Sequence, residues 1–281
     1  RWQLFEKQIR EGLLAAQNEF YDLGIRLEFF DLQTTDCEEQ YHLLQSLCTS
    51  GIQGVVLKPV DHPRIVEAIN ALESHGIPVV TISSDLPQSN RFRFIGQNYY
   101  QAGRVAGSLM NTALGGKGRV AIFQESNSYH AYTERGKGFQ EVLVEKYSSI
   151  AVDHIECKGE GIPENYNQAL QYFSETGRPD GVFCTGISYP MIAQAALDSG
   201  NPQIRIIGYD IFDGSMPLIE QDVVDFIITQ NPYREGHEGV RTLFQYLISN
   251  VKEQSPMYYT PLNICNKESL FGTDKNTLIR L

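Results

Sequence analysis

The 281-residue sequence has no run near the roughly 18 to 20 apolar residues that a membrane-spanning helix needs. No basic-then-apolar leader opens it, so no signal peptide is visible. The five cysteines, Cys37, Cys48, Cys157, Cys184 and Cys265, form no C-x-x-C pair, and no N-x-S/T sequon occurs. Buried free thiols in a reducing cytosol are therefore expected, rather than a disulfide framework. Positive charge is scarce: 23 Lys and Arg against 34 Asp and Glu leave a net charge of -11. Such a surface repels a phosphate backbone, so contact with DNA is expected only through an N-terminal segment that this chain lacks.

Motifs for chemistry are missing as well. The six histidines show no H-x-x-x-H or H-x-H pairing, and no metal site is expected. Gly115-Gly116-Lys117-Gly118 precedes a strand instead of opening a helix, so it reads as a turn and not a phosphate loop. Gly186-Ile187-Ser188-Tyr189-Pro190 carries proline where a nucleophile elbow needs its second glycine. Asp36, Glu38 and Glu39 suit the start of a helix. With no nucleophile–base pair, catalytic residue or cofactor motif, an enzyme is not expected.

What is present is alternation. Phe5, Ile9, Leu13, Ala16 and Phe20 form a helical stripe, and residues 25–32 read as a strand. Helices are expected over 37–49, around Ile65 to Leu72, and over 102–113, 135–146, 166–176 and 191–198. A last stripe runs through Val240, Leu243, Phe244, Leu247 and Ile248. Strands are expected over 54–57, 77–83, 119–124, 150–156, 181–184, 204–209 and 224–229. Alternating strand and helix implies an α/β fold of parallel sheets covered on both faces, and about ten such units are too many for one sheet. Two doubly wound lobes are expected. The chain opens on a helix where such a lobe normally opens on a strand, so a preceding segment is expected to supply that strand.

Polar residues fall just past the strand ends, where ligands bind in such sheets. Lys58, Asp85, Asp210 and Gln230 each follow a strand, and Arg135 opens a helix after one. Carboxylates, a guanidinium and an amide are the groups that pair with vicinal hydroxyls, and an aromatic ring such as Trp2 covers an apolar C–H face.

Several segments in order carry a resemblance: Ile82-Ser83-Ser84-Asp85-Leu86-Pro87, Phe94 to Gly103, Glu134-Arg135-Gly136-Lys137-Gly138-Phe139, Ile207-Gly208-Tyr209-Asp210, and Thr229-Gln230-Asn231-Pro232 with Gly236. Together they resemble the type I periplasmic binding protein fold, shared by ribose- and galactose-type sugar-binding proteins and the ligand-binding core of lac-repressor-family (LacI/GalR type) transcriptional regulators. The resemblance implies two lobes joined by a three-crossing hinge near Asn98–Tyr100, Gln230–Pro232 and Met257–Thr260. The N-terminal lobe would hold residues 1–98 and 232–258, and the C-terminal lobe 99–231 and 259–281. It implies a small polar ligand, a sugar, held in the inter-lobe cleft by Trp2, Lys58, Asp85, Arg135, Asp210 and Gln230. Tyr129, Tyr132, Gly186, Ser188 and Phe212 are secondary candidates. Leu86 and Gly186 stand where ribose-type proteins often carry arginine and asparagine, which argues against a plain ribose specificity. The expected role is the effector-sensing core of a cytoplasmic, homodimeric transcription regulator. The alternative is the periplasmic or extracellular solute-binding protein of a sugar ABC transporter.

Overall fold

The computed structural model describes residues 3–32, 36–125, 129–159, 161–175, 178–212, 214–249 and 255–270. In chain order the elements are α1 (Gln3–Glu19), α2 (Cys37–Leu47), β1 (Val55–Leu57), α3 (Pro63–Ser74), β2 (Val79–Ile82) and β3 (Arg93–Gly96). Then follow α4 (Tyr99–Leu114), β4 (Gly118–Gln124), α5 (His130–Lys146), β5 (Ile150–Glu156), α6 (Glu164–Glu175), β6 (Gly181–Cys184) and α7 (Tyr189–Asp198). The last are β7 (Arg205–Tyr209), α8 (Met216–Glu220), β8 (Phe226–Thr229), α9 (Pro232–Ser249), β9 (Met257–Tyr259), β10 (Asn263–Cys265) and α10 (Lys267–Leu270).

Two sheets result, in the orders β1-β2-β3-β9 and β10-β8-β7-β6-β4-β5. The first is wholly parallel, and the second is parallel except for its antiparallel edge strand β10. Side chains alternate between faces, so each strand feeds two cores. In β2, Val79 joins Leu44, Ile65, Ile69 and Leu72 of α2 and α3, while Val80 and Ile82 join Phe5, Ile9 and Leu243 of α1 and α9. In β4, Ala121 and Phe123 pack with Phe173 and Ile192 of α6 and α7, while Val120 and Ile122 pack with Met110 and Phe139 of α4 and α5. Each sheet is thus covered on both faces, which makes each lobe doubly wound.

The chain passes between sheets three times, from β3 into α4, from β8 into α9, and from β9 to β10. The third passage, over residues 260–262, falls just after the expected position because the short strand β9 occupies 257–259. The Gln97 amide donates to the Thr229 carbonyl at 3.1 Å, tying the first passage to the second.

The strand expected over residues 25–32 does not form; the segment runs without regular structure. Leu27 donates its N–H to the Gln17 side chain at 2.8 Å, and β1 is the sheet edge with no strand pairing on its outer side among the described residues. Apolar alternation alone does not make a strand when no neighbour takes up the ladder hydrogen bonds. Asp36 caps α2, its side chain accepting from the Glu38 N–H, and Gly115 ends α4 with φ 65°, so both were rightly read as local structure.

Candidate functional site

The carboxyl ends of both sheets face one closed cluster of polar side chains, and its residues follow directly from the strands that end there. After β2 the chain turns at Ser83, with φ 56°, and presents Asp85, 5% exposed. Asp85 accepts from Thr81 Oγ1 at 2.9 Å and pairs with both Arg91 Nε and Arg91 Nη2, the latter at 2.6 Å. After β1, Lys58 Nζ donates to Glu6 at 2.8 Å and lies 4.9 Å from the Tyr129 ring centre, reaching from one lobe to the other. Gln40 holds the backbone of that loop through the Lys58 carbonyl and the Val60 N–H.

In the second lobe, β7 ends at Asp210, whose φ of 58° turns its carboxylate back toward β8. Its two oxygens accept from Gln230 N at 2.9 Å and Gln230 Nε2 at 2.7 Å. Ser83 and Asp210 are two of the three non-glycine residues in the left-handed region among the described residues. Such backbone is costly and concentrates at ligand sites.

Arg135, 2% exposed, donates through Nη1 to the Thr185 carbonyl at 3.0 Å. Its guanidinium lies 3.7 Å from the Tyr209 ring centre, 5.0 Å from Tyr99 and 6.0 Å from Tyr132. The helix that carries it packs backbone to backbone on α4. A Cβ at Gly103 would stand 2.0 Å from the Arg135 carbonyl oxygen, and one at Gly138 would stand 2.0 Å from that of Tyr100.

The decisive feature is what these groups do not touch. Arg135 Nε and Nη2, the Tyr99 and Tyr209 hydroxyls, Gln230 Oε1 and Glu235 Oε1 are all buried without a hydrogen-bond partner among the described residues. Buried polar atoms are nearly always paired, and leaving one unpaired costs roughly 1–3 kcal/mol. Burial pushes the Tyr99 hydroxyl far up, with Glu235 adding to it and Arg135 opposing, and it also feels Asp85 and Asp210. One phenol thus senses acids and a base contributed by both lobes. Burial raises Asp210, and Arg135, Gln230 and Lys58 pull it back. Donors and acceptors turned inward and unsatisfied are what a polyhydroxylated ligand would complete.

Asp85, Arg135, Asp210 and Gln230 therefore share one neighbourhood, with Lys58 within electrostatic reach. Trp2 lies outside the described residues. Tyr132 and Tyr129 form a ring wall, edge to face at 5.8 Å. Gly186 leaves no room for a side chain, since a Cβ would come 2.4 Å from Glu125 Cγ. Ser188 is occupied within the fold: its hydroxyl bonds to the Gly161 N–H and Asn165 Nδ2, and its N–H donates to Glu125 at 2.6 Å. Phe212 packs beside Tyr189, ring centres 6.1 Å apart. Tyr99, Tyr209 and Glu235 were not singled out from the sequence. Tyr99 and Tyr209 lie within the quoted segments, but Glu235 falls in an ordinary helical first turn and gives no sequence signal.

The sequence pattern described as "Periplasmic binding protein domain" matches residues 3–250. The chain is 25% identical to the ribose import binding protein of Escherichia coli over 235 residues, 81% of this chain and 76% of that protein. Its fold superposes on a glucose-galactose binding protein from Geobacillus stearothermophilus with a TM-score of 0.86 at 22% identity, covering 95% and 94% of the two chains. A structure described as a LacI transcriptional regulator from Bacteroides fragilis superposes with a TM-score of 0.82 at 19% identity, covering 95% and 93%.

Proposed function

The chain belongs to the periplasmic binding protein domain family, and on that premise we propose that it binds one small polyhydroxylated ligand, a sugar, between its two lobes and closes around it. The observation that carries this reading is the set of buried, unpartnered donors and acceptors contributed by both lobes. Arg135 would donate to ring or hydroxyl oxygens, Asp210 and Gln230 would accept from neighbouring hydroxyls, and the Tyr99 and Tyr209 hydroxyls would complete the shell. Asp85 would act through Arg91, which it holds in place, as well as by direct contact. The lobes are assigned as residues 1–98 with 232–259 and residues 99–231 with 260–281, Tyr259 going with β9 in the first sheet.

The solute-binding protein of a sugar transporter is the reading the relatives favour, because their names are those of import and sugar-binding proteins. The fold is also compatible with a regulator core, as a LacI-regulator neighbour has it. That second reading draws on the five free cysteines, three of them buried, which suit a reducing compartment. It carries with it a cytoplasmic location and a two-fold dimer; the receptor reading carries an extracytoplasmic one. No helix among the described residues is long and apolar enough to cross a membrane. A thermal-shift screen against a library of pentoses, hexoses and polyols tests the ligand class. Sedimentation at micromolar concentration tests the role: a monomer supports the receptor and a dimer the regulator.

A further inference from the structure

Glu235 lies in the first turn of α9 and is fully buried. One oxygen, Oε2, accepts from the Ser83 hydroxyl, and the other, Oε1, has no partner among the described residues. Charges from three further elements face it: Asp210 at the end of β7, Arg135 on α5 and Lys58 after β1. Burial, opposed by the Ser83 hydrogen bond, Arg135 and Lys58 and aided by Asp210, pushes the carboxyl up to about 8.

Asp85 is paired with Arg91, and Lys58 is bonded to Glu6. Arg135 is then the guanidinium facing two buried carboxyls, Asp210 and Glu235. A buried carboxyl in such company either keeps its proton or meets a cation.

We propose that Glu235 is a ligand-contacting, specificity-determining residue that selects a polyol bearing an amino group, an amino sugar or aminocyclitol, over its neutral hydroxyl counterpart. The proposal rests on the inter-lobe binding reading above. The ligand ammonium donates to Glu235 Oε1, while the hydroxyls pair with Arg135, Asp210 and Gln230. The carboxyl holds a proton at pH 7 in the free protein, and it must give up that proton to accept from an ammonium. Binding then releases one proton to the buffer: protonated Glu235 plus the ammonium ligand gives the carboxylate–ammonium pair plus H⁺. A hydroxyl in the same place releases none.

Calorimetric titration tests this with matched pairs: D-glucose against D-glucosamine, D-galactose against D-galactosamine, and an inositol against its amino-deoxy counterpart. Each is run at pH 7 in phosphate and in Tris, buffers of small and large ionisation enthalpy. The expected result is an amine member bound at least tenfold more tightly than its neutral partner. Its apparent enthalpy should differ between the buffers by nearly one released proton. Glu235→Gln should abolish both the preference and the proton release. A neutral member bound as tightly as its amine, or a preference that survives Glu235→Gln in a folded protein, overturns the proposal and leaves the sugar-binding reading standing. Binding of no member of any pair, nor of any library sugar, overturns both.

Discussion

The Tyr209 ring lies under the Arg135 guanidinium, and its buried hydroxyl has no partner among the described residues. Such a group costs stability in the free protein and is useful only when something else bonds to it. Tyr209→Phe keeps the ring beneath Arg135 and should therefore leave the melting temperature unchanged or raise it slightly, yet weaken ligand binding several-fold. A substitution that lowers stability and leaves affinity intact would mean the hydroxyl serves the fold. Glu235 makes a second residue-scale prediction. Its ordinary value is 4.5 and its folded value about 8. Between those values the native state binds more protons than the unfolded chain, so stability falls as pH rises. The slope can reach about 1.4 kcal/mol per pH unit. Asp210, also raised by burial, acts in the same direction. Melting temperatures from pH 5 to pH 8 should decline less steeply in Glu235→Gln than in the wild type; equal slopes would show that this carboxyl is not raised in the ligand-free protein. Asp85, Arg135, Asp210 and Gln230 were legible because each sits a residue or two past an apolar strand or opens a helix in a recognisable segment. Glu235 was not, because a glutamate near a helix start is the commonest of dipole-compatible residues and burial cannot be read from its neighbours.

Among the elements, α4 and α5 position Arg135 most directly. Gly103 lies against the carbonyl of Arg135 itself, so any side chain there must push the two helices apart. Gly103→Ala should lose about 1–3 kcal/mol of stability from overpacking and should weaken binding as well, because Arg135 moves with its helix; chemical denaturation with a parallel titration reads both. The segment 25–32 makes the contrasting case. Its pattern of Ile25, Leu27 and Phe29 is that of a strand, but hydrogen bonding in a sheet needs a neighbour as well as a pattern. Amide exchange should therefore be fast over 25–32 except at Leu27, which donates to Gln17, and slow in β2, which is paired on both edges. Protection across 25–32 equal to that of β2 would contradict the unpaired assignment. The long helices and buried strands were legible from period alone, whereas β3, β9 and β10 were not. Each of these is three or four residues long, too short for alternation to stand out, and each is fixed by the strands it pairs with and not by its own sequence.

At the scale of the whole molecule, the chain makes three passages between two sheets and carries a polar cluster shut between them. Arg135, Asp210, Gln230 and Glu235 are all less than 9% exposed, so the proposed ligand would enter as the lobes part. Hinge closure is the known solution to that problem in two-lobed binding proteins. Small-angle scattering should show a lower radius of gyration when the ligand found by thermal shift is added; an unchanged radius in a protein that binds by calorimetry would argue against a moving hinge. The two-lobed class could be foreseen because the number of alternating units exceeds one sheet. The closed state could not, since it depends on how side chains from distant segments meet.

The central claim, that a polar ligand is held between the lobes by these inward-facing groups, is tested most directly by titration calorimetry on Arg135→Ala and Asp210→Ala with that same ligand. Arg135 offers two donors that nothing among the described residues satisfies, and Asp210 is the carboxylate it faces. Each substitution is predicted to weaken binding about tenfold or more, equivalent to about 1.4 kcal/mol or more, with the circular dichroism spectrum unchanged. Wild-type affinity in both variants, each still folded, would place the binding site elsewhere on the molecule.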